Sequence, residues 1–385
     1  MSNFLFLKSA GIILDKYLKY RFFILFAYTF IVGITNALLP HLSSIWLFFA
    51  VSSISSFASG SLDTGGNVLV LDCWKHGDSG PYLHSIHFSF ALGSFLAPIL
   101  AIPFLSESSN ITTPTNASEA QELDQMDTVD TKITTLFPLL GVSIIIISTG
   151  YLVAGMTTIK SKSTNNQAPE KPSGSDESYG LHLWILMVLI ALFFFFYVGA
   201  EVSYGLYIAT FAVECDQNLS KTQGAEITSI FWACFAIMRF ASIFTSIYLK
   251  PVYVMILSFV LSLVGAVALM CYGNDVLWVL QVGSALLGFG MASIYATGLL
   301  WLSTYVKISN RIGAAMSCAS GIGADVFPVV IGQYLTEFPM ILMHVTGGTI
   351  LLCSLMFISA MCIGKHIDNS KSDKLNSPEQ LELMK

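Results

Sequence analysis

Apolar runs of about twenty residues recur along the whole chain, with short polar segments between them. A helix needs a run of that length to cross a hydrocarbon core about 30 Å thick. The pattern predicts eleven spans, near 3–14, 22–39, 45–71, 83–105, 136–156, 181–211, 227–248, 252–271, 276–301, 313–331 and 338–363. The first is short and interrupted by Lys8; with no basic start and no small-residue cleavage site before Asp15, it reads as part of a span rather than a leader.

Two long polar segments punctuate this pattern. Residues 106–135 are acidic, through Glu107, Glu119, Glu122, Asp124, Asp127 and Asp130, and rich in Ser and Thr, the composition of a solvated excursion. Residues 157–180 carry Lys, Ser, Asn and the prolines of Gln167-Ala-Pro-Glu-Lys-Pro, a linker composition. The expected organisation is an N-terminal bundle of five spans over 1–156, a cytoplasmic linker over 157–180, a C-terminal bundle of six spans over 181–363 and a charged, disordered cytoplasmic tail over 364–385. Two helical halves joined in this way is a transporter architecture.

Cations set the expected orientation, because Lys and Arg in short loops stay on the cytoplasmic side. With the C-terminus inside, 14 of the 18 Lys and Arg residues fall on that side, only Lys132 and Lys221 fall opposite, and Lys8 and Arg239 lie within spans. The sequons at Asn110, Asn116 and Asn218 all fall on the outer side, where glycan acceptors must be.

Composition sharpens the class. Of 385 residues 54% are apolar and 11% charged, with a mean hydropathy of +0.70, whereas a soluble domain carries about a quarter charged residues. The net charge of -6 argues against nucleic acid as a partner. The seven cysteines show no C-x-x-C spacing; only Cys215 and Cys271 lie near the outer side, and a disulfide between them is a minor alternative. Nucleophile–base pairs, metal motifs and phosphate-binding glycine loops are missing from the sequence, so an enzyme is the least favoured class.

After the first span, Gly11-Ile-Ile-Leu-Asp15-Lys16-Tyr-Leu-Lys19-Tyr-Arg21 resembles the gating signature of the major facilitator superfamily, with Leu18 in place of its glycine. That signature follows the second helix of twelve, so the resemblance implies an all-α fold of two helical bundles with about 11 spans, lacking the first helix. Either the gene model is short at its N-terminus or the chain is a variant without that helix. A closer likeness begins at Ser61-Leu-Asp63-Thr64-Gly65-Gly66-Asn67 and continues through Asp72-Cys-Trp74 and His87-Phe-Ser-Phe-Ala-Leu-Gly93. These strings, with Gly199-Ala-Glu201-Val-Ser-Tyr204-Gly205 and Ser293-Ile-Tyr295-Ala-Thr297-Gly298, resemble the sodium-dependent glucose transporter 1 branch. The likeness implies a plasma-membrane sugar transporter with sodium as coupling ion and no other cofactor, and urea passage is also attributed to the branch.

Candidate chemistry rests on polar groups inside spans, which are costly in lipid unless they face water or a partner. Asp63 and Asn67 are four apart on one helical face, with Thr64 beside them and Gly60, Gly65 and Gly66 permitting close helix approach. The resemblance makes this the fourth helix of the superfamily, one that lines the central cavity. Asp63 is therefore the first candidate for sodium and Glu201 the second, against packing for Asp63 and snorkelling to the headgroups for Glu201. Sugar recognition requires hydrogen-bonding groups and flat rings. Asn67, Thr64, Tyr204, Trp232, Gln281 and Tyr295 supply these, whereas Trp278 and Trp301 read rather as interfacial belt residues.

Gly11, Asp15, Lys16, Asp72 and Lys75 are assigned to gating by the resemblance and by their loop positions. Arg239, in Ile237-Met-Arg239-Phe, resembles a basic position of the superfamily's eighth helix; the loop after it lacks the expected aspartate, so a structural or gating role is favoured over substrate binding. His84 and His87, three apart, lack a third ligand at suitable spacing and read as packing or hydrogen-bonding residues. The leading expectation is a sodium-coupled sugar transporter working by alternating access, with the lipid bilayer, a small sugar and sodium as partners. An uncoupled sugar or urea facilitator and a non-transporting scaffold or receptor are the alternatives.

Overall fold

The computed structural model describes residues 16–17, 20–74, 78–101, 119–164, 180–217 and 219–375. Its helices are α1 Arg21–Leu38, α2 Ile45–Cys73, α3 Gly80–Ala101, α4 Glu119–Thr164, α5 Leu181–Glu214, α6 Lys221–Tyr248, α7 Pro251–Tyr272, α8 Leu277–Met291, α9 Ile294–Ser303, α10 Asn310–Tyr334 and α11 Ile341–Leu375. Among the described residues, nine helices or helix pairs are long and apolar enough to cross a membrane, the α8–α9 pair forming one span. The span expected at 3–14 lies outside the described residues.

Local chemistry sets several helix ends. A capping box opens α6, where Ser220 Oγ accepts from the Gln223 backbone N–H and the Gln223 side chain accepts from the Ser220 N–H. Pro251 opens α7 at a position where its missing N–H costs nothing. Ser309 Oγ accepts from the Ile312 N–H at the start of α10.

Three boundaries differ from the sequence reading. Helix α4 reaches back to Glu119, into the segment read as an excursion, because Glu-Ala-Gln-Glu-Leu is helix-forming and holds no Gly or Pro. Helix α11 likewise runs on to Leu375, through residues expected to be tail. The span expected at 276–301 is broken: α8 ends at Met291 and α9 begins at Ile294, with Ser293 at φ -100° and ψ -10°.

The chain divides into two compact units, residues 1–66 with 93–175 and residues 67–92 with 176–385. In the first unit α1 packs along α4. Gly33 and Gly141 meet there, so close that a Cβ on Gly141 would lie 2.5 Å from the Gly33 carbonyl oxygen and 2.8 Å from Ala37 Cβ.

In the second unit α5 is central, packing against α6, α10 and α11, while α8 lies against α6 and α7. Its aromatic residues Phe193, Phe194, Tyr197, Tyr204 and Phe211 are fully buried. Trp301, expected at an interface, is buried against Tyr305 and Phe357, because α9 is enclosed on all sides; Trp278 is exposed.

Candidate functional site

A break in a helix frees backbone carbonyls that must find other donors. At the α8–α9 break two side chains supply them: Tyr197 Oη donates to the Met291 carbonyl, and Arg239 Nε donates to the Ala292 carbonyl at 3.1 Å. Tyr197 Oη lies equally within hydrogen-bond reach of the Glu201 carboxylate, one turn along α5, so its single proton serves one of these two acceptors at a time. Arg239 Nη2 lies 3.6 Å from Glu201 Oε1, completing an ion pair with side chains only 5% and 10% exposed. Arg239 Nη1 donates to the His87 carbonyl at 2.9 Å, and its guanidinium lies over the Phe235 ring at 4.3 Å.

One cation thus ties α6 to α5, to the helix break and to α3. The pairing resolves the cost of two lone charges in the membrane interior, since each neutralises the other. Glu201 is consequently buried and internally paired rather than snorkelling, because its partner sits on the neighbouring helix.

The other expected site residues take varied places. Tyr204 is fully buried and its hydroxyl meets Ser284 Oγ at 2.7 Å, joining α5 to α8. Trp232 is half-buried against Gly205, where its ring occupies the space a Cβ would need. Gln281 is half-buried. Tyr295 is buried, with His87 at its ring edge and Phe194 tilted against it.

Thr64 and Asn67 are buried, whereas Asp63 is exposed. The shared face read from the sequence is therefore buried at Asn67 and exposed one turn earlier at Asp63. Gly66 has open space where a Cβ would lie, so close helix approach is not its role.

Asp72 is half-buried and Lys16 exposed; Gly11, Asp15, Lys75, Asn110, Asn116 and Asn218 lie outside the described residues. Cys215 is buried and Cys271 exposed, and no disulfide joins them. Among the described residues, no group of three His, Cys, Asp or Glu side chains is arranged to hold a metal ion.

The residues that sequence reasoning missed are Tyr197, Ser284 and the carbonyls of Met291 and Ala292. A signal was present in Gly288-Phe-Gly290-Met-Ala-Ser293, where small residues cluster inside a span and weaken helix continuity.

A multi-pass helical protein with a polar centre built on an interrupted span defines a membrane transporter class. Solved structures agree on the fold. The major facilitator superfamily transporter FucP in the outward conformation superposes with a TM-score of 0.64 at 18% identity, covering 93% of this chain and 86% of that one. The proton:xylose symporter XylE gives a TM-score of 0.62 at 12% identity, covering 93% and 84%.

Sodium-dependent glucose transporter 1A of Mus musculus is 30% identical over 325 residues, covering 81% of this chain and 75% of that protein. Sodium-dependent glucose transporter 1 of Xenopus laevis is 29% identical over 319 residues, and this chain spans 62% of its length. Major facilitator superfamily domain-containing protein 4A of Danio rerio is 23% identical over 385 residues, covering 86% and 71%. No family model matches the chain. The chain belongs to the major facilitator superfamily, in the group of the sodium-dependent glucose transporter 1 proteins.

Proposed function

We propose that this chain is a secondary transporter that moves glucose or a related sugar across the plasma membrane by alternating access, with sodium as the coupling ion. The observation that carries a transport role is the buried Glu201–Arg239 centre at the α8–α9 break, a polar interruption that a purely structural span has no need of. Sugar as the substrate class is supported by the names of the relatives, several of which are sodium-dependent glucose transporters. The orientation follows the cation bias, with the C-terminus cytoplasmic and the sequons outside.

Sodium is assigned to Asp63 in preference to Glu201. Glu201 already has a cation at 3.6 Å, and a sodium ion there would have to displace a guanidinium held by two backbone carbonyls. Asp63 is exposed, whereas Glu201 is buried. Coupling requires sodium to favour the state competent for sugar, since a ligand with equal affinity for both states shifts nothing. Asn67, Thr64, Gln281 and Tyr295 are the residues proposed to serve the sugar; Tyr204 is assigned to packing, its hydroxyl already engaged by Ser284.

Uptake of labelled glucose into vesicles containing the purified full chain tests the reading. An inward sodium gradient stimulates uptake, and Asp63→Asn removes the stimulation while sodium-free equilibration persists. Undiminished stimulation in that variant rejects Asp63. Full-rate uptake without sodium selects the uncoupled facilitator, and a folded chain that moves no solute selects the scaffold or receptor.

A further inference from the structure

We propose that His87 is a recognition residue for the transported solute, its imidazole meeting one hydroxyl of the sugar; the proposal rests on the sugar-transport reading. His87 lies on α3 with 9% of its surface exposed. Its Nε2 has no hydrogen-bond partner among the described residues. A buried ring nitrogen without a partner is uncommon, and it marks a place where a ligand or an ordered water completes the bonding.

The surroundings point to a ligand with hydroxyls and an apolar face. The His87 ring meets the Tyr295 ring edge-on, with centroids 5.3 Å apart and planes at 62°, and Tyr295 in turn leans on Phe194 at 4.7 Å. The Tyr295 ring, backed by the fully buried Phe194, suits the C–H face of a pyranose, while the imidazole either donates to or accepts from a hydroxyl. The side chain is also pre-positioned from the backbone. Arg239 Nη1 holds the His87 carbonyl at 2.9 Å, and the same guanidinium grips the Ala292 carbonyl at the helix break, three residues before Tyr295. The break, its arginine and the two rings are therefore linked by direct contacts. Metal ligation does not account for the ring, because no three-residue ligand group exists among the described residues.

The test is a cross between protein and solute: wild type, His87→Ala and His87→Gln are assayed in vesicles with glucose and the series of monodeoxyglucoses. Wild type is expected to transport one deoxy analogue with a kcat/KM lower than that for glucose by roughly tenfold or more, because the site's polar group is then left unpaired. His87→Ala is expected to lose about as much on glucose and no longer to distinguish it from that analogue. His87→Gln, which retains a hydrogen-bonding group, recovers part of the discrimination, and it also serves if the alanine variant does not fold. Discrimination that persists unchanged in either folded variant overturns the proposal and assigns water to Nε2. Wild type that moves no sugar at all overturns the transport reading and this proposal with it, a result distinct from persistent discrimination.

Discussion

The two units solve the problem of holding helices together in lipid in different ways. In the unit of residues 1–66 and 93–175, the spans Arg21–His41 and Thr134–Thr158 are only 28% and 11% buried. In the other unit the share runs from 28% for Thr222–Tyr248 to 61% for Leu277–Ser303. Polar side chains follow the same divide. Thr29, Thr35, Asn36 and Ser148 return their hydrogen bonds to carbonyls of their own helices, one turn back. In the second unit Tyr197, Tyr204, Tyr207 and Arg239 bond across to other helices. Lipid tails are as apolar as leucine, so burial alone gives helices no reason to associate. The first unit relies on close backbone approach at Gly33 and Gly141 together with a Tyr28–Ser61 side-chain bond between α1 and α2, whereas the second gathers its cross-helix polar bonds around the helix break.

The largest effect expected from this contrast is at the ion pair. Arg239→Met leaves Glu201 buried without its cation and two carbonyls without their donor, which costs about 3–5 kcal/mol. A large fall in the thermal midpoint of the purified protein is the readout. Adding Glu201→Met to the same chain is expected to restore much of the loss, because an apolar pair of similar volume needs no desolvation compensation. A double variant as unstable as the single one would show that the carbonyls at the break, rather than the charges, hold the unit together.

How much of this was legible beforehand depends on the kind of signal. The spans were readable because a bilayer imposes a length on apolar runs, and the ranges 22–39, 45–71 and 252–271 match α1, α2 and α7 within two residues at each end. Past the membrane edge the rule is silent: helix propensity carries α4 beyond its expected bound, and α11 runs on to Leu375 although its last residues are weak helix formers. Glu201 and Arg239 were each visible as a lone charge in a span, but their contact joins positions 38 residues apart, and no periodicity within one helix encodes the partner on another. Two opposite charges in consecutive spans was the usable clue, since neither is stable alone in hydrocarbon. Trp278 and Trp301 show the same limit: both stand near a span end, and only the packing of α9 makes one of them core.

A smaller effect is expected where the first unit depends on close approach. Gly141→Ala would place a Cβ 2.5 Å from the Gly33 carbonyl oxygen and 3.0 Å from the Ala37 nitrogen, backbone atoms that can move only if the helices separate. Overpacking of this kind costs about 1–3 kcal/mol. Gly150→Ala, on the same helix with open space around it, is the matched control and is expected to be neutral or stabilising by up to about 1 kcal/mol, since alanine favours the helix. Thermal midpoints of the two variants measure the difference directly. Equal midpoints would mean that the α1–α4 crossing does not hold the first unit.

The smallest effect belongs to polar bonds that cross between elements of the second unit without being buried. Asn274 Nδ2 donates to the Asp216 carboxylate, Asn274 Oδ1 accepts from the Asp216 N–H at 3.3 Å, and Gln217 Nε2 donates to the carbonyls of Gly273 and Asn274 at 3.2 and 3.1 Å. This clasp links the α5–α6 turn to the α7–α8 turn, and its side-chain bonds from Asn274 are exposed. Water replaces an exposed donor at little cost, so Asn274→Ala is expected to lower stability by no more than about 1 kcal/mol. The prediction separates two explanations of the unit's cohesion. If bridging between helices were sufficient, the clasp would matter as much as the ion pair; if burial of the bridging groups is what counts, Asn274→Ala leaves the thermal midpoint nearly unchanged while Arg239→Met lowers it steeply. A clasp variant as damaging as the arginine variant would reject burial as the decisive difference.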